Sequence, residues 1–478
     1  MCVENQYPWT MVRFLAGFLL PVCFVAAQTV DWTKADSESL AHFQALVRLD
    51  TTSPPGNERI AVEYVKRVLE AEGIAVQMFA LDPARPNLVA RLKGNGAKRP
   101  LLIMGHTDTV NVDAAKWKFP PFSAARDAGF IYGRGTVDDK DNLAACLMAM
   151  LLLKRQNVPL DRDVIFLAEA GEEGDTKYGI GHMVDQHWPE IEAEYALAEG
   201  GGVTRQGGSV RYASVQTTEK SINTVQLVAH GPAGHGSVPL RGNAVVRLSQ
   251  AVAKVAAWMP PMRLNDTTRT YFERLSTIAS PEDAARFKGL LDPAKTVAIQ
   301  EYMADYQPQY NSMIRTSVSP NIFTGGYRYN VIPSEATARL DVRSVPDEPM
   351  DAFFAEMKKV INDPAVEIVN GGRTRPAAAP SPVNDPTFRA LEQAVRKHYG
   401  VVTLPTMGTG GTDMSFLRAK GVKAYGVGPA TDSEDGPLGF GAHSDQERIL
   451  ETELTRFVRF QYDTIVAIAG AASATAPR

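Results

Sequence analysis

The chain has 478 residues, of which 44% are hydrophobic and 22% are charged. A chain of this length can bury two or three domain cores, and its composition excludes a disordered, collagen-like or fibrous protein. Fifty Lys and Arg against 54 Asp and Glu give a formal net charge of -4, so the charge balance does not favour nucleic acid or an anionic membrane as a partner. We therefore expect a small molecule or a peptide as the partner.

The N-terminus has the pattern of a secretory signal segment, residues 1–27. Arg13 precedes a short apolar run that ends in small residues before Gln28, and this run is too short to span a membrane as a helix. An uncleaved anchor or a buried first helix is the alternative interpretation. We expect an exported protein, periplasmic or secreted, that has no membrane segment after processing and keeps Cys146 as its single cysteine.

Residues 28–215 alternate between helix-like stretches and short apolar runs of strand character. The helix-like stretches are 38–72 and 142–154, and the apolar runs are 75–79, 88–92, 101–104, 164–168 and 195–198. The pattern returns in residues 373–478, with a helix at 388–399 and a strand at 424–427. Apolar strands separated by helices predict an α/β domain whose central sheet is mostly parallel and covered on both faces.

A different pattern separates these two parts of the α/β domain, in residues 216–372. Its predicted elements are strand 223–229, helix 244–258, strands 322–329 and 336–342, helix 350–361 and strand 366–369. The order βαββαβ predicts an inserted ferredoxin-like α+β domain. An insertion at about 259–320 interrupts it and is far longer than an ordinary loop, so we expect it to have structure or a function of its own.

Acidic residues and histidines follow several of the predicted α/β strands. They are His106 and Asp108, Asp138 and Asp139, Glu172 and Glu173, and Glu199, with His443 near the C-terminus. Each of them alone has an ordinary explanation as a helix cap or a solvated turn. Ligands of open α/β sheets bind beyond the carboxyl ends of the strands, where such side chains converge. Two histidines with several carboxylates form a ligand set for Zn²⁺, Co²⁺ or Mn²⁺, and two cations would relieve the repulsion among the carboxylates.

The order of the motifs resembles metallopeptidase family M20, which includes carboxypeptidase G, aminoacylase-1, succinyl-diaminopimelate desuccinylase and the Gly-X carboxypeptidases. The motifs are H-x-D, G-R-G-x-x-D-D-K, G-E-E-G, A-E-G-G, G-H-G-S-x-P, N-x-I-P and a late G-A-H, and the resemblance covers roughly residues 40–465. It implies a zinc-peptidase-like catalytic domain, an inserted lid or dimerisation domain, and a homodimer. The chain departs from the family in having Asp141 after D-D-K, where relatives have Gly, and in the long insertion.

The resemblance also implies the metal ligands. Asp138 would bridge two Zn²⁺ ions, with Co²⁺ or Mn²⁺ as alternatives. His106 and Glu199 would complete one site, and Glu173 and His443 would complete the other.

Three further residues take catalytic roles in the resemblance. Glu172 would be the general base, because a carboxylate beside a water shared by two cations can take its proton and pass it to the leaving amine. Asp108 would orient His106. His235 would stabilise the oxyanion of the tetrahedral intermediate, and a histidine with no role beyond its turn is the alternative.

The substrate-binding residues implied by the resemblance are Asn330, Arg343 and Gly410. A guanidinium can grip a free carboxylate with two hydrogen bonds, and the small residues around Gly410 let backbone amides approach it. A charge at the exposed end of a strand is the alternative for Arg343.

The sequence therefore predicts a dizinc peptidase that hydrolyses an amide bond next to a free C-terminal carboxylate in dipeptides or short peptides. An N-acyl-amino-acid amidohydrolase is the main alternative, since the same residues would act on an acyl group. A metal-dependent peptide-binding protein without catalysis is a third interpretation. Glu172 argues against it, because a binding protein needs no base beside Glu173.

Overall fold

The computed structural model describes Met1 and residues 29–471. The predicted signal segment, Met1 aside, lies outside the described residues. Among the described residues, Met1 and 29–471, no helix combines the length and apolar character required to cross a bilayer.

The first part of the catalytic domain extends to the end of a long strand, β9. In chain order it contains α1 (Trp32–Val47), α2 (Arg59–Ala71), β1 (Val76–Phe79), β2 (Asn87–Leu92), β3 (Leu101–His106), a short 3-10 turn (Ala114–Lys116), β4 (Ala125–Asp127), β5 (Phe130–Tyr132), α3 (Lys140–Arg155), β6 (Val164–Glu169), α4 (Ile180–Gln186), α5 (Trp188–Ile191), β7 (Tyr195–Ala198), β8 (Gly202–Gln206) and β9 (Ser209–Glu219).

The lid domain and its insertion follow at once. They contain β10 (Ser221–His230), β11 (Gly234–His235), α6 (Ala244–Ala257), α7 (Asp266–Leu275), α8 (Pro281–Gly289), α9 (Thr296–Tyr306), α10 (Pro308–Met313), β12 (Ser317–Gly325), β13 (Val331–Ile332), β14 (Glu335–Ser344), α11 (Met350–Ile361) and β15 (Val366–Arg373). The chain then returns to the catalytic domain with α12 (Pro386–Tyr399), β16 (Thr403–Gly408), α13 (Met414–Ala419), β17 (Lys423–Gly426), β18 (Ala430–Asp432), β19 (Arg448–Leu450) and α14 (Glu451–Ala469).

The catalytic domain is built on one large sheet in the order β1-β2-β6-β3-β7-β17-β9-β8-β18, with β16 paired to β9. The strands at its centre are parallel: β6 with β3, β3 with β7, and β7 with β17. Every residue of β3, β6 and β7 is buried, as expected for strands covered on both faces. The carboxyl ends of these strands therefore lie together at one edge of the sheet.

Helices cover both faces of this sheet. Alternate strand residues point to opposite sides, so each face has its own core. Leu101 and Ile103 of β3 pack with α1, α2, α3, α12 and α14 in one core. Leu102 and Met104 pack with α4, α5 and α13 in the other. Helix α3 is buried over almost its whole length, which explains why its sequence is apolar on all sides.

The lid has the predicted ferredoxin-like form. Its antiparallel sheet has the order β12-β14-β10-β15, and α6 and α11 pack on it through one core. The edge strand β12 spans 317–325 instead of the predicted 322–329. A proline disfavours a strand interior, but Pro320 lies on the sheet edge beside a register shift, where its missing N–H removes no necessary hydrogen bond.

The insertion packs partly on the catalytic domain. The sequence places residues 259–320 within the lid domain, and in the structure Tyr271 and Phe272 of α7 and Phe287 of α8 share a core with Leu404 of β16. The Thr267 hydroxyl lies 2.7 Å from that of Thr217 on β9, and Arg274 donates to the carbonyl oxygen of Thr403. The insertion therefore contacts the catalytic domain through α7, and its two ends also contact the lid, where Arg263 donates to Asp347 and Thr316 donates to Glu348.

Candidate metal centre and catalytic site

The site lies at the carboxyl ends of the parallel strands. His106 is the last residue of β3, and Glu172 and Glu173 lie in the turn that follows β6. Glu199 directly follows β7. In the register of the sheet His106 pairs with Glu169, so these ends stand side by side. The predicted convergence of strand-end side chains is therefore a consequence of the parallel pairing.

Asp138 lies between the two histidines of the cluster. Its Oδ1 is 3.0 Å from Nε2 of His106, and its Oδ2 is 3.0 Å from Nε2 of His443. The same His443 nitrogen lies 2.9 Å from Oε1 of Glu173. One carboxylate thus offers one oxygen to each side of the cluster, which is the arrangement a bridging ligand requires.

The donor atoms form two overlapping groups. In one, single donor atoms of His106, Asp138 and Glu173 all lie within 4.8 Å of one another, and in the other the same holds for His106, Glu172 and Glu199. Glu172, the predicted base, is therefore as close to His106 and Glu199 as a ligand would be. A group at this distance can reach a water molecule held in the cluster.

The carboxylates of the cluster favour protonated histidines. Hydrogen bonds with Asp138 and Glu173 raise the pKa of His443 to about 10. Burial opposes the charge on His106, but hydrogen bonds with Asp108 and Asp138 raise its pKa well above the usual range. Both histidines thus favour their protonated forms and pair with carboxylates. Their protons occupy positions where metal cations would bind.

The donor set fits divalent cations. Burial raises the pKa of Glu199 well above its ordinary value, and the charges of Glu172 and Asp138 add to this effect. So many carboxylates in a buried site repel one another, and divalent cations relieve the repulsion. Imidazole nitrogens mixed with carboxylate oxygens are ligands for Zn²⁺, Co²⁺ or Mn²⁺.

Asp108 is fully buried and holds two parts of the site together. Its Oδ1 accepts a hydrogen bond from the backbone N–H of Glu172, and its Oδ2 accepts one from that of Glu173, both at 3.1 Å. Nδ1 of His106 lies 3.0 Å from the Asp108 carbonyl oxygen and 3.5 Å from its carboxylate. A proton on Nδ1 leaves Nε2 to face Asp138 as a ligand.

Arg375 is a site residue that the sequence did not reveal. It lies two residues beyond β15, where the chain returns from the lid, and its side chain is 11% exposed. One guanidinium nitrogen donates to Oε1 of Glu172 at 2.6 Å, and the other donates to Asp413 at 2.5 Å. Burial raises the pKa of Glu172 to about 8, although Arg375 opposes the shift. Arg375 therefore holds the predicted base in place.

A buried ion pair, to which the sequence assigned no role, shapes the loop that carries Asp138. Arg134 donates to Oε2 of Glu447 at 2.7 Å, and both side chains are almost completely buried. Glu447 also accepts hydrogen bonds from the backbone N–H groups of Gly135 and Val137. Glu447 is four residues beyond His443, so this pair fixes the loops of two predicted ligands to each other.

Of the predicted lid residues, His235 and Asn330 lie close together, whereas Arg343 lies near the other end of β14, opposite Ile222 of β10. The backbone N–H of Gly236 donates to the Asn330 carbonyl oxygen, and His235 lies on β11, which pairs with β13 directly after Asn330. Arg343 donates to Asp341 in the lid at 2.7 Å. Within residues 29–471 no hydrogen bond joins these predicted residues to the ligand cluster.

Gly410, the remaining predicted substrate contact, lies in the exposed turn between β16 and α13. A side chain at this position would meet open space, whereas one at Gly411 would press against Arg375. The turn is thus next to the residue that holds the base. The predictions for His235, Asn330, Arg343 and Gly410 stay predictions.

Comparison with solved structures identifies the fold. An M20 family metallo-carboxypeptidase from Sulfolobus solfataricus superposes with a TM-score of 0.69 at 22% identity, covering 90% of this chain and 99% of that one. The similarity in fold therefore extends over both the α/β catalytic domain and the inserted second domain of this chain.

Sequence comparison identifies the family. The model of peptidase family M20/M25/M40 matches residues 102–467, a range that includes every proposed ligand. The chain belongs to this family, and its class is that of the metallopeptidases and amidohydrolases.

Two relatives show how far the similarity extends. Probable carboxypeptidase S-like 2 of Dictyostelium discoideum is 30% identical over 343 residues, which are 69% of this chain and 64% of that protein. The N-fatty-acyl-amino acid synthase/hydrolase PM20D1 of Xenopus tropicalis is 31% identical over 277 residues, or 56% of this chain and 53% of that protein. The chain therefore spans less than two thirds of the length of either relative.

Proposed function

We propose that the chain is a dizinc peptidase that hydrolyses the amide bond next to a free C-terminal carboxylate in dipeptides or short peptides. The observation that supports it is the position of Glu172. This buried carboxylate reaches the donor atoms of His106 and Glu199 while Arg375 holds it from the other side. The proposed ligands are His106, Asp138, Glu173, Glu199 and His443.

Two cations bound there would polarise the scissile carbonyl and acidify the attacking water. Glu172 accepts the proton of this water and passes it to the amine that leaves. Asp108 keeps Glu172 and Glu173 in register with His106 through the two backbone hydrogen bonds at 3.1 Å. In this proposal Glu172 transfers the proton, and Asp108 positions the turn that carries Glu172 and Glu173.

His235 is the proposed donor to the oxyanion. Its Nδ1 accepts hydrogen bonds from the backbone N–H of Ser237 at 3.1 Å and from the Ser237 hydroxyl at 2.7 Å. A backbone N–H can only donate, so the ring proton is on Nε2, which can donate to a developing oxyanion. For this, the lid of the same or of a partner subunit must bring His235 over the cluster.

The alternative activity is hydrolysis of N-acyl amino acids. The match to a protein named as an N-fatty-acyl-amino acid synthase/hydrolase favours it, and the same ligands and base would serve an acyl group. The two activities differ in the group on the carbonyl side of the scissile amide bond. This group is an aminoacyl group in a peptide and an acyl group in an N-acyl amino acid.

A substrate screen tests the proposal. The purified chain, reconstituted with Zn²⁺, Co²⁺ or Mn²⁺, is assayed with dipeptides and with N-acyl amino acids that share the same C-terminal residues. We expect metal-dependent hydrolysis with the higher kcat/KM on the peptides. A higher kcat/KM on the acyl amino acids would establish the alternative, and no hydrolysis of either class would contradict both.

We also propose export and a homodimer. The pattern of residues 1–27, with Arg13 before a short apolar run, supports export to the periplasm or the medium. The lid supports the dimer, because Ile322 and Phe323 of its edge strand are about half exposed, and an exposed apolar sheet edge can pair with a second copy.

A further inference from the structure

Two adjoining cavities form a cleft between the insertion helices and the catalytic domain. The inner cavity has a volume of about 350 Å³ and the outer one about 620 Å³, and both are lined by Thr204 and Tyr212. Each volume lies in the range of small-molecule sites. We call these two cavities together the insertion cleft, because Tyr271 and Gln309 of the insertion line the inner cavity.

One end of the inner cavity lies beside the residues that follow the proposed ligand Glu199 in the chain. Gly200 and Gly201, which line it, directly follow the proposed ligand Glu199. Gly408 and Thr409 line it from the loop that contains Gly410. A side chain at Gly200 or at Gly408 would approach Oε1 of Gln216 to 2.6 Å. The two glycines therefore leave room for the buried Gln216 side chain at this end of the cleft.

The wall of the inner cavity is polar but uncharged. Its lining consists of Gly200, Gly201, Gly202, Val203, Thr204, Tyr212, Ser214, Tyr271, Gln309, Met313, Thr406, Met407, Gly408, Thr409 and Thr431. Charged side chains line only the outer cavity, as Arg211 and Asp283. Asp283 already accepts hydrogen bonds from Arg286 and Gln307.

This chemistry discriminates between ligands. A free carboxylate needs a cationic partner, and the lining of the inner cavity contains none. An amino terminus finds no carboxylate there either. A long acyl chain would bury hydroxyl and backbone groups without hydrogen-bond partners, which is unfavourable. An extended peptide segment with uncharged side chains supplies both donors and acceptors to such a wall.

We propose that the insertion cleft binds the residues of a peptide that precede the scissile bond, so that the preferred substrates are uncharged peptides of three or more residues that lose their C-terminal residue. The inference rests on the proposed function, because it assigns the remainder of the same substrate. It assigns a role to the insertion, whose Tyr271, Gln309 and Met313 line the cleft.

A length series tests the proposal on the metal-loaded enzyme. The substrates Ala-X, Ala-Ala-X and Ala-Ala-Ala-X share the C-terminal residue X that the screen selects, and N-acetyl-X, N-octanoyl-X and N-dodecanoyl-X form the comparison. We expect kcat/KM to rise about tenfold from the dipeptide to the tetrapeptide, as a few added hydrogen bonds allow. No such rise is expected from the acetyl to the dodecanoyl compound. Equal values along the peptide series, or a rise along the acyl series, would overturn the proposal.

A pair of variants locates the effect in the cleft. Gln309 is exposed on α10 and lines the inner cavity, so Gln309→Trp fills the space without disturbing a core. We expect the ratio of tetrapeptide to dipeptide kcat/KM to fall about fivefold or more. The control Gln186→Trp, on an equally exposed position of α4, should keep the wild-type ratio. An unchanged ratio in Gln309→Trp would overturn the proposal.

The two proposals can fail separately. Hydrolysis of peptides with no dependence on their length contradicts the assignment of the cleft and leaves the proposed function standing. Absence of hydrolysis on every peptide contradicts the proposed function itself.

Discussion

Asp108 connects the residues on which the proposed chemistry depends. Its carboxylate accepts hydrogen bonds from the backbone N–H groups of Glu172 and Glu173 and lies beside the ring of His106. The spacing H-x-D could predict its proximity to His106, because both residues leave the same strand. The contact with Glu172 and Glu173 could not be predicted, since it depends on the path of a turn that is distant in sequence.

His443 tests the proposed ligand set. It faces Asp138 and Glu173 from the loop before β19, and its own side chain is about half exposed. We expect His443→Ala to reduce the metal content from about two ions to about one per chain and to lower kcat/KM by about a hundredfold or more. Metal analysis after gel filtration measures the first effect.

His230→Ala is the matched control for this variant. The side chain of His230 in the lid is 52% exposed, against 53% for His443, but it faces no proposed ligand. The control should retain both ions. Unchanged metal content in His443→Ala would remove His443 from the ligand set.

Arg375 tests how the base is held. Its guanidinium bridges Glu172 and Asp413, so we expect Arg375→Met to lower kcat about a hundredfold and to change KM much less. Arg375→Lys should recover part of the loss, because one ammonium group can pair with one of the two carboxylates. Steady-state kinetics of both variants provide the measurement.

The exposed Arg373, at the end of β15, is the control for Arg375. Arg373→Met should have wild-type kcat. If Arg375→Met loses thermal stability but keeps its kcat, Arg375 has a structural role only. Arg375 was not predictable from the sequence, because it is 203 residues from Glu172 and lies in a Pro- and Ala-rich stretch without any motif.

At the scale of elements, the site depends on two loops that are held together by one buried ion pair. Arg134 belongs to the loop before α3, and Glu447 belongs to the loop before β19. Asp138 lies on the first loop and His443 on the second. The pair therefore transmits the position of each loop to the other, and with it the distance between two proposed ligands.

Glu447→Gln tests this connection. Glu447 accepts hydrogen bonds with both oxygens, so the amide NH₂ of glutamine would face an N–H donor, and Arg134 would be left without its counter-charge. We expect the free energy of unfolding to fall by about 3 kcal/mol, as for other broken buried pairs. Equilibrium urea unfolding measures the change.

Glu451→Gln is the control, because its partner Arg126 is more than half exposed. An ion pair of this kind contributes about 1 kcal/mol or less. Equal losses in the two variants would show that burial of the Arg134–Glu447 pair has no special importance.

Some elements of the fold are predictable from the sequence and others are not. The buried strands β3, β6 and β7 were predictable because continuous apolar runs are typical of a covered parallel sheet. The start of β12 was not predictable, because a proline such as Pro320 is unusual inside a strand. The packing of α7 on the catalytic domain was not predictable either, since the sequence of an apolar helix face does not show which surface it will cover. The proposed ligands, which stay predictions, were identified from motifs and the family resemblance, whereas the contacts of Arg375 and Glu447 required the fold.

At the scale of the whole molecule, the lid residues His235 and Asn330 have to meet a site in the catalytic domain. In the structure β9 ends at Glu219 and β10 begins at Ser221, so the two domains are joined by a single residue on this side. Thr374 and Arg375 form the return connection, with the Thr374 N–H bonded to the Ile222 carbonyl oxygen. A change in lid position would therefore act close to the residue that holds Glu172.

Export is a prediction about the complete chain. If residues 1–27 are a cleaved signal segment, protein recovered from the periplasm or medium should begin near Gln28. Edman sequencing or intact mass of the recovered protein provides the measurement. Retention of Met1 in exported material would contradict cleavage, and retention of the whole protein inside the cell would contradict export.

The most direct test of the two-metal hydrolase compares wild type with Glu172→Gln for metal content and turnover on the best peptide of the screen. We predict about two metal ions per chain in both proteins and a kcat about a thousandfold lower in the variant, because glutamine cannot accept the proton of the attacking water. Turnover within about tenfold of wild type would contradict the role of Glu172 as the base. Loss of one ion in the variant would show that Glu172 is a ligand instead.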